Sequence, residues 1–355
     1  MRFPVTGTGS LTTWHGRYLA NEDGSATFDW PGVRVEFTLA AGATRVEGEI
    51  RSPGSVKGFF RVYVDGVPAS SVQTDNATAT YELASGLDGS VPHRVELYSL
   101  LEPALLHPQP FLPAPPYTAL SLVSLTVDGA LGAPPPPPSR RLVFTGDSIT
   151  AGFGAGGSPP DCPNPSVFSE DHSATYGNLL CAAFSATCEW VAWSGKGLYE
   201  NSPTAGTSQT IPQYYSQALG AGQEPFAPTW DARRFPPSAV VINLGTNDWG
   251  HSHDTGPAWE ANFTATYVAF MRNLTLVHSN ASLPIFAASG PLTSKPTPAI
   301  LQAVAAHNAA GGSASFLDLQ TGPVSGCNGH PGPEDHAAMM RKAHPVIAEA
   351  LGWGV

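Results

Sequence analysis

Between residue 1 and about residue 130, apolar and polar residues alternate with a period of two in short runs separated by turn-like clusters: ATFDW, VRVEFTLA, TRVEGEIRS, KGFFRVYVDG, TATYELAS, HRVELYSLL and ALSLVSLTVDG. That pattern predicts an all-β sandwich, each strand turning one face inward. Gly132 and Ala133 then lead into five consecutive prolines at 134–138. Such a tract can neither pair in a sheet nor continue a helix, so it reads as a stiff spacer. Beyond it the pattern changes to apolar runs at 142–145, 189–193, 239–244, 285–289 and 315–319 separated by longer stretches. Trp259, Phe263, Tyr267, Phe270, Met271, Leu274 and Val277 recur at helical spacing, as do Tyr176, Leu179, Leu180 and Phe184, and a last helix is expected from about Pro333 to Leu351. Strands separated by helices imply an α/β fold with a doubly wound parallel sheet and a ligand site at the carboxyl ends of its strands. The expected division is a β-domain at 1–131, a linker at 132–140 and a second domain at 141–355.

Composition agrees with two domains, since 355 residues exceed the usual size of one core. Only 13% of residues are charged, and the 37 glycines and 35 prolines imply extensive loops. A net charge of −11, with no basic cluster, argues against nucleic acid and anionic membrane surfaces as partners. No apolar run is long enough to span a bilayer, and the opening MRFPVTGTGS lacks the basic-then-apolar pattern of a signal peptide. Sequons at Asn76, Asn262, Asn273 and Asn280 and an even set of cysteines, Cys162, Cys181, Cys188 and Cys327, point to an extracellular protein whose signal peptide is not present in this chain.

Four segments carry candidate chemistry. Phe144-Thr-Gly-Asp-Ser-Ile-Thr150 follows the first strand after the spacer, so Ser148 would sit on a strand-to-helix turn with free N–H groups and a helix dipole beside its hydroxyl. Taken alone, Asp147 and Ser148 read equally well as a helix cap. Gly245-Thr-Asn-Asp248 follows the third strand, where the Asn247 amide could donate to an oxyanion; taken alone it is an Asx turn. Ser194-Gly-Lys-Gly197 follows the second and could offer the Gly195 N–H, or be a plain glycine-rich loop. Gly326-Cys-Asn-Gly-His-Pro331 precedes the last helix and can bring His330 over the first strand's end as a base. His336 and His344 fall within the expected helix and His251 and His253 trail the asparagine motif, which makes them weaker candidates for that role.

In this order and spacing the four segments resemble the SGNH or GDSL-type hydrolase superfamily over residues 141 to about 352, with Ser148, Gly195, Asn247 and His330 in the positions that name it. GDSITAGFG, the Tyr176-Gly-Asn-Leu-Leu helix, Trp193-Ser-Gly-Lys-Gly-Leu-Tyr-Glu-Asn and, in the β-domain, Phe28-Asp-Trp-Pro-Gly32 are similar to carbohydrate esterase family 2. The resemblance implies a jelly-roll domain joined to an SGNH catalytic domain, and removal of O-acetyl groups from xylan or glucomannan. It implies Ser148 as nucleophile, His330 as base, the Ser148 and Gly195 N–H groups and the Asn247 side chain as oxyanion donors, and no metal or organic cofactor.

One place departs from the wider superfamily, which usually carries Asp three residues before the histidine; here that residue is Cys327, followed by Asn328. A thiol orients an imidazole poorly. The similar esterase family includes members with a Ser–His dyad held by a backbone carbonyl, so a carbonyl from residues 326–328 is expected at Nδ1 of His330, with Asp318 and Asp335 as alternatives. A Cys162–Cys327 bridge would tie the loop after the nucleophile to the loop of the base, although four cysteines allow three pairings. Trp249 and Tyr199 are the aromatics expected to flank a sugar. Two other readings stand beside this one: a carbohydrate-binding protein that has lost turnover, and a broad short-chain or lipid esterase in which Phe111-Leu-Pro-Ala-Pro-Pro-Tyr117 faces an acyl chain. The oligomeric state is not legible.

Overall fold

The computed structural model describes residues 1–52, 58–75, 77–103, 119–134, 136–163, 169–203, 205, 208–220, 229–250 and 256–354. The Asn76 sequon, Pro135, the stretch 111–117, His251 and His253 lie outside the described residues. The chain divides into two compact units: Met1–Pro137 with Gln217–Thr229, and Pro138–Ser216 with Trp230–Val355. The later segment in the first unit had no signal in the sequence. Its described start, 217–220, is pinned by polar contacts, the Arg17 guanidinium donating to the Gln217 carbonyl at 3.1 Å and the Gly220 N–H to Asp29 at 3.0 Å.

Among the described residues, the first unit holds twelve strands: β1 (Arg2–Pro4), β2 (Thr12–His15), β3 (Leu19–Ala20), β4 (Ala26–Phe28), β5 (Arg34–Leu39), β6 (Val46–Arg51), β7 (Phe59–Val64), β8 (Val67–Gln73), β9 (Thr78–Ala84), β10 (His93–Ser99), β11 (Leu120–Val127) and β12 (Leu131–Gly132). They form two six-stranded sheets, one in the order β3-β4-β11-β6-β9 with β1 beside β11, the other β12-β5-β10-β7-β8 with β2 beside β5. Every pairing in them is antiparallel. The alternating pattern turns Val46 and Ile50 of β6 and Val35, Phe37 and Leu39 of β5 into the interior. Strand β8, of sequence VPASSVQ, escaped the sequence reading because it is an edge strand exposed over most of its length.

The second unit holds a five-stranded parallel sheet built from β13 (Arg141–Gly146), β14 (Thr187–Ala192), β15 (Ala239–Asn243), β16 (Ile285–Ser289) and β17 (Ala314–Asp318), in the order β14-β13-β15-β16-β17. Its helices are α1 (Ser148–Ala151), α2 (Tyr176–Ala183), α3 (Ile211–Tyr214), α4 (Thr246–Trp249), α5 (Pro257–Val277), α6 (Thr297–Ala309) and α7 (Pro333–Leu351). Strands buried on both faces read as continuous apolar runs, which is why the sequence marks them well. Leu142, Phe144, Val241, Phe286, Ala288 and Leu317 share one core with Tyr176 and Leu180 of α2, Phe184 at its end, and Met339, Ala343 and Ile347 of α7. The intervening residues, such as Val143, Val240 and Ile242, point to the opposite face and are equally buried. Strand order reverses direction at β13, so the loops leaving β13, β14 and β15 open a crevice at the carboxyl edge of the sheet.

Candidate active site

Ser148 occupies the first position of α1, two residues after β13 ends. The helix forms there because the Asp147 carboxylate caps it, accepting from the Ile149 N–H at 3.0 Å. It ends after four residues at Gly152, whose φ of 99° is the left-handed conformation that glycine adopts freely. The short helix leaves Ser148 nearly buried, with its hydroxyl directed at the base. His330 Nε2 lies 2.9 Å from Ser148 Oγ, and His330 Nδ1 lies 3.0 Å from the Asn328 carbonyl oxygen. Donation from Nδ1–H to that carbonyl leaves the Nε2 lone pair to accept from the serine.

The loop carrying His330 is fixed at several points. Asn328 sits in the left-handed region at φ 56°, which turns its carbonyl back toward the ring, and its amide donates to Ser169 Oγ at 3.2 Å. The Cys327 N–H donates to the Gly154 carbonyl at 2.9 Å, and Phe153 meets the His330 ring edge-to-face at 4.9 Å between centroids. Cys327 is disulfide-bonded to Cys162, and Cys181 to Cys188. Burial lowers the His330 pKa below its ordinary value, the Asn328 carbonyl opposing the fall.

Neither sequence-derived carboxylate alternative touches His330. Asp318 is paired with Lys342 at 2.6 Å. Asp335 instead accepts from the Ser325 N–H, the Ser325 hydroxyl and the Gly332 N–H at 2.7–2.9 Å, which staples both ends of the His330 loop to the start of α7. His336 and His344 serve packing. The buried His336 accepts from the Tyr176 N–H at 3.3 Å, and burial pushes its pKa down to about 3; His344 stacks on Phe184.

Gly195 lies three residues past β14 at φ 76°, and Asn247 four residues past β15. The N–H groups of Ser148 and Gly195 have no acceptor among the described residues. The Asn247 amide nitrogen donates to the Lys196 carbonyl at 2.9 Å and to Asp147 Oδ2 at 3.3 Å, which ties the loops leaving all three strands to one another. The buried Asp248, which sequence reasoning passed over as the last residue of an Asx turn, accepts from the Leu198, Tyr199 and Glu200 N–H groups at 2.7–3.0 Å. Burial drives its carboxyl up to about 6 against those three donors, and drives Asp147 up to about 7, with the Asp248 charge adding to the latter rise.

The aromatic expectation is corrected for Trp249. It is 7% exposed and packs edge-to-face on Trp259 at 4.7 Å and on Phe263 at 4.5 Å, because α4 turns its last residue against α5 rather than into the crevice. Tyr199 keeps partial exposure, with its ring against Trp259 and its hydroxyl accepting from Asn262 at 3.5 Å.

A parallel sheet of this order, with Ser, Gly, Asn and His gathered from four loops about its first strand, is the fold of an SGNH hydrolase. The profile of the GDSL-like Lipase/Acylhydrolase family matches residues 144–345, and that of the Carbohydrate esterase 2 N-terminal domain matches residues 14–107. The chain is 28% identical over 343 residues to an acetylxylan esterase / glucomannan deacetylase of Cellvibrio japonicus, covering 95% of this chain and 88% of that protein. Among solved structures, a carbohydrate esterase family 2 enzyme plus carbohydrate binding domain from Corynascus thermopiles (Myceliophthora fergusii) is 30% identical, at a TM-score of 0.79 over 96% of this chain and 100% of that one. A family two carbohydrate esterase from Clostridium thermocellum in complex with cellohexaose is 25% identical, at a TM-score of 0.83 over 97% of this chain and 100% of that one. The chain belongs to the GDSL-like lipase/acylhydrolase family, in its carbohydrate esterase family 2 branch, and is a carboxylic ester hydrolase. No described helix is long and apolar enough to cross a membrane.

Proposed function

We propose that the protein removes O-acetyl groups from plant polysaccharides, xylan or glucomannan, by a Ser148–His330 dyad acting through an acyl-enzyme. The observation that carries this reading is the continuous line Ser148 Oγ, His330 Nε2, His330 Nδ1, Asn328 carbonyl, with contacts of 2.9 and 3.0 Å. His330 takes the Ser148 proton as Oγ forms a bond to the acetyl carbonyl carbon. The oxyanion accepts from the Ser148 and Gly195 N–H groups, which have no other described acceptor. The longer Asn247 contact, to Asp147, is the one that turns to the oxyanion while the Lys196 carbonyl keeps hold of the amide. Collapse of the intermediate expels the sugar oxygen, which takes the proton from His330. Water then gives a proton to His330 and its oxygen to the acetyl carbon, and acetate leaves as Ser148 recovers its hydrogen. The donor set is all hydrogen bonds and one imidazole, and the scheme requires no cofactor.

The substrate class comes from the names of the relatives and from the match of the N-terminal profile, which adds to the esterase a β-rich unit that we assign to the jelly-roll class; the expected boundaries, 1–131, a linker at 132–140 and a catalytic domain at 141–355, are kept except that 217–229 goes with the β-rich unit. An extracellular site of action is supported by the two disulfides and by the exposure of Asn262, Asn273 and Asn280. The testing experiment is acetate release from acetylated xylan, acetylated glucomannan and a short acyl nitrophenyl ester in parallel. Release from a polysaccharide at a kcat/KM above that of the small ester supports the reading. Turnover of the small ester alone makes the protein a broad short-chain esterase, and glycan binding without acetate release makes it a binding protein.

A further inference from the structure

We infer that the Cys162–Cys327 disulfide is the positioning element of the general base, doing the work that a carboxylate three residues before the histidine does in the wider superfamily; this rests on the reading of His330 as that base. Cys327 occupies the carboxylate's place in the chain, yet its sulfur is bonded away from the imidazole, to Cys162. What it controls is the backbone. Cys327 is completely buried while Asn328 and Gly329 beside it are exposed, so in the 326–330 turn the side chain that anchors the loop inward is this one. The turn's own bonds then radiate from that anchor. The Cys327 N–H donates to Gly154, the His330 N–H donates to the Cys327 carbonyl, and the Gly326 N–H donates to the His330 carbonyl.

The nucleophile side of the tether is shaped to receive it. A Cβ on Gly157 would lie 2.9 Å from the Cys327 sulfur, and one on Gly154 would lie 2.4 Å from the Cys327 carbonyl oxygen and 2.7 Å from His330 Cβ. The loop that follows α1 therefore has glycine at the two points where the Cys327 sulfur, the Cys327 carbonyl and His330 Cβ come in, with Phe153 between α1 and these glycines packed on the imidazole edge. An exposed, neutral carbonyl such as that of Asn328 orients an imidazole only as well as the turn presenting it is fixed, because water competes for the same Nδ1–H. The bridge joins residues 165 apart and removes the freedom of that turn to swing outward. Cys181–Cys188 spans α2 and β14 at a separation of 7, away from these contacts, and provides an internal control.

The test uses the rate at which a fluorophosphonate modifies Ser148, which reads the Ser–His pair without any glycan. Oγ bonds to phosphorus, fluoride leaves, and His330 takes the serine proton. Cys162→Ala with Cys327→Ala is expected to slow labelling by about 100-fold, the penalty typical of a slightly misplaced reacting group. Its kcat for acetate release should fall by a similar factor with KM nearly unchanged. Restoring a carboxylate, Cys327→Asp in the Cys162→Ala background, should recover about tenfold of that loss, as an outer residue orienting a histidine does. Cys181→Ala with Cys188→Ala should label at the parental rate. If the double alanine variant does not fold, a phosphine reductant applied to the folded Cys181→Ala/Cys188→Ala protein decides. It supplies two electrons to the one remaining bridge and leaves two thiols, counted by alkylation. Labelling should slow on reduction and return on reoxidation. Parental labelling in the double variant, or after verified reduction, overturns the inference. Because labelling needs no ester substrate, the absence of acetate release from any polysaccharide would count against the proposed substrate and not against the tether.

Discussion

Asp147 and Asn247, a hundred residues apart in the chain, meet where β13 and β15 end, the asparagine amide donating to the aspartate over 3.3 Å. The carboxylate that caps the nucleophile's helix is thus the same one that holds an oxyanion donor. Its two oxygens have different partners, Ile149 N–H on one and Asn247 on the other. Asp147→Asn keeps a good cap but sets two amide groups face to face, so the Asn247 amide keeps only the Lys196 carbonyl and is pushed off its position beside the nucleophile. We expect kcat to fall at least about tenfold, toward the loss of about 3 kcal/mol seen when an oxyanion donor is removed. The melting temperature should hold, since a fully buried carboxyl already pushed up to about 7 gives way to a neutral group. Steady-state kinetics and a thermal melt check both.

The pH profile follows from His330. Burial lowers its pKa below 6.5, with the Asn328 carbonyl opposing. Only the neutral ring can accept the serine proton, so protonation at low pH removes activity, and a depressed pKa moves that loss to lower pH. The acid limb of kcat/KM that belongs to His330 should therefore fall below pH 6.5, and it should persist in Asp147→Asn, where the carboxyl pushed up to about 7 is gone. A limb at or above that value in Asp147→Asn contradicts the burial argument.

Asp248 is a structural keystone of the Gly195 loop. Truncating it to alanine strands the N–H groups of Leu198, Tyr199 and Glu200, with a cost of about 1–3 kcal/mol for each that stays out of water. Asp248→Ala is expected to lose at least about 3 kcal/mol of stability by denaturant unfolding, while Asp248→Asn, which retains one acceptor, should lose less.

Gly154 is where the nucleophile and base loops touch. It has φ 83°, and an alanine there would press into the Cys327 carbonyl and His330 Cβ. Gly154→Ala should displace the imidazole and lower kcat about 100-fold with little change in KM. Gly322→Ala, with a similar φ of 95° but open space around it, is the control for backbone strain alone.

The parts of the molecule written in local pattern were legible in the chain. The inner strands β13, β15 and β16 of the parallel sheet are apolar runs because both faces are covered, and α5 and α7 announce themselves by proline at the first turn and apolar residues at helical spacing. Ser148, Gly195, Asn247 and His330 were legible as a set because each follows a strand or precedes the last helix at a motif of its own. What escaped depends on partners distant in sequence. Nothing local marks 217–229 as part of the first unit, since its anchors are Arg17 and Asp29. Trp249 looked like a sugar platform from its place after the asparagine motif, and only the approach of α5 makes it core. Asp248 read as the end of an Asx turn and Asp335 as an alternative partner for the His330 ring, whereas their carboxylates tie down the loops that carry Gly195 and His330.

The most direct measurement is acetate release from acetylated xylan by purified Ser148→Ala beside the unmodified protein, with circular dichroism to show that both are folded. The account predicts steady release by the unmodified protein and none above background from the variant. Turnover retained by a folded Ser148→Ala would contradict it.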